Sequence, residues 1–283
     1  MLNDRNSRYT PDSRNRRHRA TSFVLASLLA LAGVALATGA VVAAEPTAEA
    51  LLDAYVEAMG GKAAMEKFDN RVTHGKLEIP AQGVEMKLTL YSARPNLNYT
   101  LIESDMVGKI EKGTDGEVYW EMSAMMGAQV REGQERTDYL RDSTFDKWLH
   151  WRELYPEVEY AGSETLNEKP VHKVVVKPAN GEPQTLYLDQ SSNLALRVDI
   201  SAETPMGVFP VASYLKDYRE IDGILIPHTM EIEVMGEKRL ITTDKIEHNV
   251  EMSADRFALP PEIRAIVDKG EGEAEAEVVK TSE

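Results

Sequence analysis

Residues 214–246 read YLKDYREIDGILIPHTMEIEVMGEKRLITTDKI. Tyr214 and Tyr218 lead into Ile221-Asp222-Gly223; Met230, Ile232 and Val234 then alternate with Glu231 and Glu233 up to Gly236, and Leu240 to Ile246 follow. A period of two puts apolar side chains on one face of each strand and charged ones on the other, and Asp-Gly and Gly at the breaks turn the chain back on itself. The stretch predicts consecutive antiparallel strands, wet on one face and buried on the other.

The same rhythm extends upstream. Leu77 and Ile79 precede the Pro80-Ala81-Gln82-Gly83 turn, and Met86, Leu88 and Leu90 alternate with Glu85, Lys87 and Thr89. Leu97, Tyr99 and Leu101, then Val118 with Trp120, then Val174 with Val176, Leu186 with Leu188, and Leu194 to Ile200 continue it. About ten short strands in a meander are predicted.

Two segments break the alternation. From Thr47 to Met59, Leu51, Leu52, Tyr55, Val56 and Met59 share one helix face, with Thr47 as N-cap and Gly60-Gly61 as the stop, followed by a short turn over 62–68. Between Gln134 and Tyr155, Tyr139, Leu140, Phe145, Trp148, Leu149 and Trp151 recur at helical spacing. An amphipathic helix and an aromatic helical insertion must lie on something apolar, and the sheet offers one apolar face. The predicted fold is mainly β (α+β): an incomplete, bent antiparallel β-barrel with the N-terminal and inserted helices packed on its concave face.

The chain starts differently. Six arginines fall within the first 22 residues, Phe23 to Ala44 carry no charge, and the run exits through Val42-Ala43-Ala44. This is the layout of a secretory signal peptide, or of an N-terminal membrane anchor if it is retained, over residues 1–44. The folded domain is expected over 45–260, with a short helix and a disordered acidic tail over 261–283. Export to the periplasm or cell envelope is the expected destination.

The 283 residues include no cysteine, which excludes disulfides, thiolate metal sites and a thiol nucleophile, and the formal charge of −15 argues against nucleic acid as a partner. No phosphate loop, nucleophile elbow or zinc-protease motif occurs. His74, His172 and His228 on predicted strands leave a dispersed metal-dependent hydrolase as the weakest reading; no catalytic residue, metal ligand or cofactor is assigned.

Several stretches resemble the outer-membrane lipoprotein-sorting (lipoprotein-localisation carrier) family: AEALLDAYVEAMGG at 48–61, GKLEIPAQG at 75–83, ETPMG at 203–207, DYREIDGILIPH at 217–228 and RFALP at 256–260. The resemblance implies a bent, incomplete barrel with helices in its concave face and an apolar cavity that receives acyl chains. It implies a binding protein rather than an enzyme, a monomer whose partners are a lipophilic ligand or an acylated protein and a membrane-protein partner. A scaffold domain with a solid core is the alternative. From strand parity and the aromatic insertion, Leu88, Leu90, Tyr99, Leu101, Trp120, Met125, Trp148, Trp151, Met230 and Ile232 are expected to line the cavity.

Overall fold

A computed structural model describes residues 45–204, 207–253 and 255–270; the leader and the acidic tail lie outside the described residues. The chain opens with α1 (Ala48–Ala58) and the single turn α2 (Lys62–Met65). Six strands follow: β1 (Asn70–Ile79), β2 (Val84–Ala93), β3 (Leu97–Ser104), β4 (Gly108–Thr114), β5 (Tyr119–Ser123) and β6 (Gly127–Arg131). The insertion folds as α3 (Gly133–Asp142), a 3₁₀ turn (Lys147–His150) and α4 (Trp151–Leu154). Seven more strands complete the series: β7 (Glu157–Leu166), β8 (Lys169–Lys177), β9 (Gln184–Asp189), β10 (Ala195–Thr204), β11 (Gly207–Ile221), β12 (Ile224–Val234) and β13 (Glu237–His248). A last helix, α5, spans 261–270.

All thirteen strands form one antiparallel sheet in the order β6-β5-β4-β3-β2-β1-β13-β12-β11-β10-β9-β8-β7. The meander is closed only in the middle, where the first strand pairs with the last; β6 and β7 are free edges, so the barrel is incomplete. Register shifts at His74/Gly75, Tyr160/Ser163 and Ala195/Arg197 add the local bends that curve so wide a sheet. At Gly75 a Cβ would stand 2.0 Å from the Thr242 carbonyl oxygen, so only glycine lets β1 and β13 approach there.

The fold class is that expected from the alternation, with three more strands than the ten anticipated. The additions are β4 (GKIEKGT), β6 (GAQVR) and β7 (EVEYAGSETL), each too polar to give an apolar rhythm.

Thr47 caps α1, its hydroxyl accepting from the Ala50 N–H at 3.2 Å. The helix buries Leu51, Leu52, Tyr55 and Val56 in one cluster with Val174, Val176, Leu186 and Leu188 of β8 and β9 and with Trp151 and Tyr155 of the insertion. Each large apolar side chain so buried contributes about 1.5–3 kcal/mol. The Leu225 N–H donates to the Met59 carbonyl at 2.8 Å and ties the end of α1 to β12. Gly60 makes that junction: its φ of +124° suits glycine, and a Cβ would lie 2.5 Å from the Gly223 oxygen.

The opposite, convex face of the first half-sheet is apolar too. Tyr91, Tyr99, Gly113, Trp120 and Val130 are direct cross-strand partners and form one stripe. Gly113 makes room for the indole, since a Cβ there would meet Trp120 Cζ2 at 3.2 Å. The C-terminal segment covers this stripe: the Arg256 guanidinium lies 4.4 Å from the Tyr91 ring centre and 5.7 Å from that of Tyr99, and Ile263 of α5 is fully buried.

Candidate functional site

Between the concave face and the helices lies a cavity of about 450 Å³. Its apolar wall comes from β10–β12, with Val198, Ile200, Leu215, Ile226 and Met230; α1 and the loop after it supply Tyr55 and Met59. Trp148 roofs it, edge-on to Tyr55 with ring centres 5.6 Å apart and stacked on Tyr155 at 5.7 Å. Its polar wall comes from β1–β3 and the 142–147 loop: Arg71, Ser92, Asn98, Asp142, Thr144, Asp146 and Lys147.

The cavity opens onto an apolar trough. Leu215, Met230, Ile241, Leu77 and Met86 pair directly across β11, β12, β13, β1 and β2 and therefore share the concave face. Leu88, Ile102 and Ile110 form a second such row on β2–β4. Apart from Met86, these residues are only half-buried, because the helices cover one end of the long strands and stop.

An ion cluster sits at the polar wall. Asp146, whose side chain is 4% exposed, receives Arg71 Nη2 at 3.1 Å and Arg94 Nη2 at 3.0 Å. Both guanidiniums lie over the Phe145 ring, at 5.2 and 5.0 Å. Arg71 Nε also donates to His248 Nε2 at 3.0 Å; His248 stacks on Phe68 and its Nδ1 is 2.8 Å from Asp222. Burial raises the Asp146 carboxyl above its ordinary value against the opposing pull of Arg71 and Arg94. Burial likewise works against the Lys147 ammonium, but Asp142, 3.0 Å away, and Tyr155 together outweigh it and its pKa rises.

The residues expected from sequence divide by face. Leu90, Trp148 and Met230 line the cavity. Leu88 and Ile232 lie on the same face in the trough beyond it, Leu88 paired with Ile102 and Ile232 with the cavity-adjacent Ser213. Trp151, the first residue of α4, is 3% exposed in the core, its indole N–H donating to Asp53 at 3.3 Å. Tyr99, Leu101 and Trp120 are on the convex face, because the first half-sheet is apolar on both sides and parity alone does not say which side is inner. Met125 stands 89% exposed at the β5–β6 turn. Sequence reasoning does not reach Arg71 and Asp146 as site residues; nothing local sets them apart from the many other charged residues.

His74, His172 and His228 do not converge. His74 pairs with Glu247 at 3.5 Å, His172 Nδ1 lies 3.2 Å from the Tyr160 and Ser163 hydroxyls, and buried His228 meets the Ile226 carbonyl at 3.0 Å. Among the described residues no group of three His, Asp or Glu side chains is placed to hold a metal ion, and no helix is long and apolar enough to cross a membrane.

An open antiparallel sheet wrapped around a helix-roofed hollow is the architecture of the LolA-like fold, and this chain has that fold. A LolA superfamily protein from Nitrosomonas europaea superposes with a TM-score of 0.53 at 12% identity, over 76% of this chain and 99% of that one. A DUF1329 family protein from Desulfovibrio piger gives 0.53 at 14%, over 74% and 96%. An outer membrane lipoprotein-sorting domain from Vibrio parahaemolyticus gives 0.51 at 14%, over 75% and 97%. No protein-family model and no curated protein matches the chain.

Proposed function

We propose that the protein is a non-enzymatic carrier of the cell envelope that holds a lipophilic ligand, an acyl chain of a lipid or of an acylated protein, between its sheet and its helical roof. The observation that carries this reading is the roofed cavity continuing, through the Leu215–Met230–Ile241–Leu77–Met86 row, into a half-exposed apolar trough. A solid scaffold would have no use for an apolar row that leaves the roofed cavity and continues half-buried across β13 and β1 at Ile241 and Leu77. Burial of an acyl chain contributes about 0.8 kcal/mol per methylene, so affinity comes without a covalent or metal anchor. Leu90, Trp148 and Met230 form the closed part of the proposed site and Leu88 and Ile232 its open part.

The outer membrane lipoprotein-sorting description of one structural neighbour is consistent with this reading and with an envelope location. The leader over 1–44 would then deliver the carrier by export. The test is direct: full-length protein from the envelope fraction, delipidated in detergent-free solvent exchange, is titrated with a neutral fluorescent lipophile such as N-phenyl-1-naphthylamine. Saturable binding that is weakened by Trp148→Ala is expected. No uptake by well-folded protein would overturn the proposal.

A further inference from the structure

The cavity is two-sided, and its polar side holds a set of ion pairs. Four cations, Arg71, Arg94, Arg141 and Lys147, meet three carboxylates there: Asp146 between Arg71 and Arg94, Asp142 3.0 Å from Lys147 and 3.8 Å from Arg141, and Asp138 2.7 Å from Arg141. A fourth carboxylate, Asp222, is 60% exposed and reaches the cluster only through His248. Of these, Arg71, Lys147, Asp142 and Asp146 line the cavity itself, two charges of each sign.

At the Arg71–Asp146 pair the cation is the more accessible partner, whereas at Lys147–Asp142 the carboxylate is. The Asp146 side chain is 4% exposed and already takes two guanidiniums, whereas that of Arg71 is 22% exposed. Arg71 spends Nε on His248 and Nη2 on Asp146, and its Nη1 has no protein acceptor among the described residues. The Lys147 side chain, 25% exposed, lines the same wall and carries three N–H donors, of which Asp142 takes one. The Ser92 hydroxyl accepts from Asn98 at 3.4 Å and keeps its own proton to give.

Resting on the carrier reading, we propose that the ligand is a single acyl chain ending in an anionic head. The head sits against Arg71 and Lys147, and the chain runs along Val198, Ile200, Leu215 and Met230 into the trough. A volume of about 450 Å³ lies in the lower half of the usual range for small-ligand cavities, about 300–1,000 Å³, and accommodates one chain rather than a bundle of them. An oxyanion at Arg71 and Lys147 gains charge-assisted hydrogen bonds that a neutral head does not.

The test compares heads on one chain length. Delipidated full-length protein carrying N-phenyl-1-naphthylamine is challenged with dodecanoate, dodecyl phosphate, dodecanol and dodecyltrimethylammonium. Dodecanoate or dodecyl phosphate should displace the probe at concentrations about tenfold lower than dodecanol, and whichever is tighter identifies the head as carboxylate or phosphate. Lys147→Met, which keeps an apolar stem, should lose most of the preference for the anions over dodecanol, with circular dichroism confirming the fold. Equal displacement by dodecanol, preference for the ammonium, or an unchanged anion preference in Lys147→Met would overturn this inference while leaving the carrier reading in place. Failure of the protein to bind the probe at all would remove both.

Discussion

Arg71 and Asp146 are 75 positions apart in the chain and 3.1 Å apart in the fold. The contact joins the first strand to the helical insertion, and Arg94, from the β2–β3 turn, takes the other carboxylate oxygen at 3.0 Å. Asp146 therefore pins the loop that carries Phe145 and Trp148 to the first hairpin. The roof of the cavity is held by electrostatics on this side and by apolar packing of Trp148 on Tyr55 and Tyr155 on the other.

Replacing Asp146 by Asn should be strongly destabilising. The backbone there has φ of 50°, a left-handed conformation that Asn tolerates as well as Asp, so the substitution removes charge with little added strain. Two half-buried guanidiniums would lose their counter-ion, at a cost of about 3 kcal/mol. Urea unfolding should show a lowered midpoint with an unchanged slope; a midpoint equal to wild type would mean that the guanidiniums find water instead.

Gly60→Ala and Gly83→Ala separate crowding from backbone conformation. Gly60 combines a φ of +124° with a Cβ position 2.5 Å from the Gly223 oxygen, whereas Gly83 sits at φ +63° with nothing within 4 Å. The first change should cost at least about 2–3 kcal/mol and loosen the α1–β12 junction; the second should cost about 1–2 kcal/mol. Thermal unfolding of the two variants side by side checks the order.

Much of this architecture is legible because its strands obey a simple rule: Met230-Glu231-Ile232-Glu233-Val234 has one dry and one wet face, and it pairs as it reads. The rule fails where an inner face is polar or both faces are apolar. Lys112 of β4 faces inward, 5.6 Å from the Tyr139 ring centre, so β4 shows no alternation and escapes a reading by period. Tyr99 and Trp120 alternate well but belong to the convex stripe, and the segment that covers it presents a charged residue, Arg256, which sequence alone assigns to solvent. The Arg71–Asp146–Arg94 cluster is illegible for another reason. Its members come from three separate segments, and a chain with 47 acidic residues offers no way to choose one carboxylate over the rest.

Trp148 and Trp151 are three residues apart, yet only the first lines the cavity. Trp151 is 3% exposed, with its indole N–H on Asp53 and the Arg152 guanidinium 4.2 Å above its ring. Trp151→Ala should cost about 3–5 kcal/mol of stability. Trp148→Ala should cost less and act mainly on ligand uptake. Parallel measurement of urea midpoints and of probe titrations distinguishes the two roles; equal loss of stability in both variants would contradict this division.

Glu231 sets an acid-side prediction on the outer face of β12. Its carboxylate takes Lys216 at 2.7 Å and Lys238 at 2.8 Å, and these hydrogen bonds lower its pKa from an ordinary 4.5 to about 2. A carboxylate more acidic in the fold than in the unfolded chain adds stability at pH values above 4.5, and loses that contribution as the pH falls toward about 2. The lysines are exposed and solvent screens the pairs, so the contribution is modest. Glu231→Gln should therefore be less stable than wild type at pH 7, and the gap should close across the window from pH 4.5 down to about 2. Urea midpoints of both proteins through that window read the effect, and added salt at pH 7 should narrow the gap in the same direction. A gap that stays constant with pH would show that the substitution acts through packing, not through the loss of the two lysine contacts.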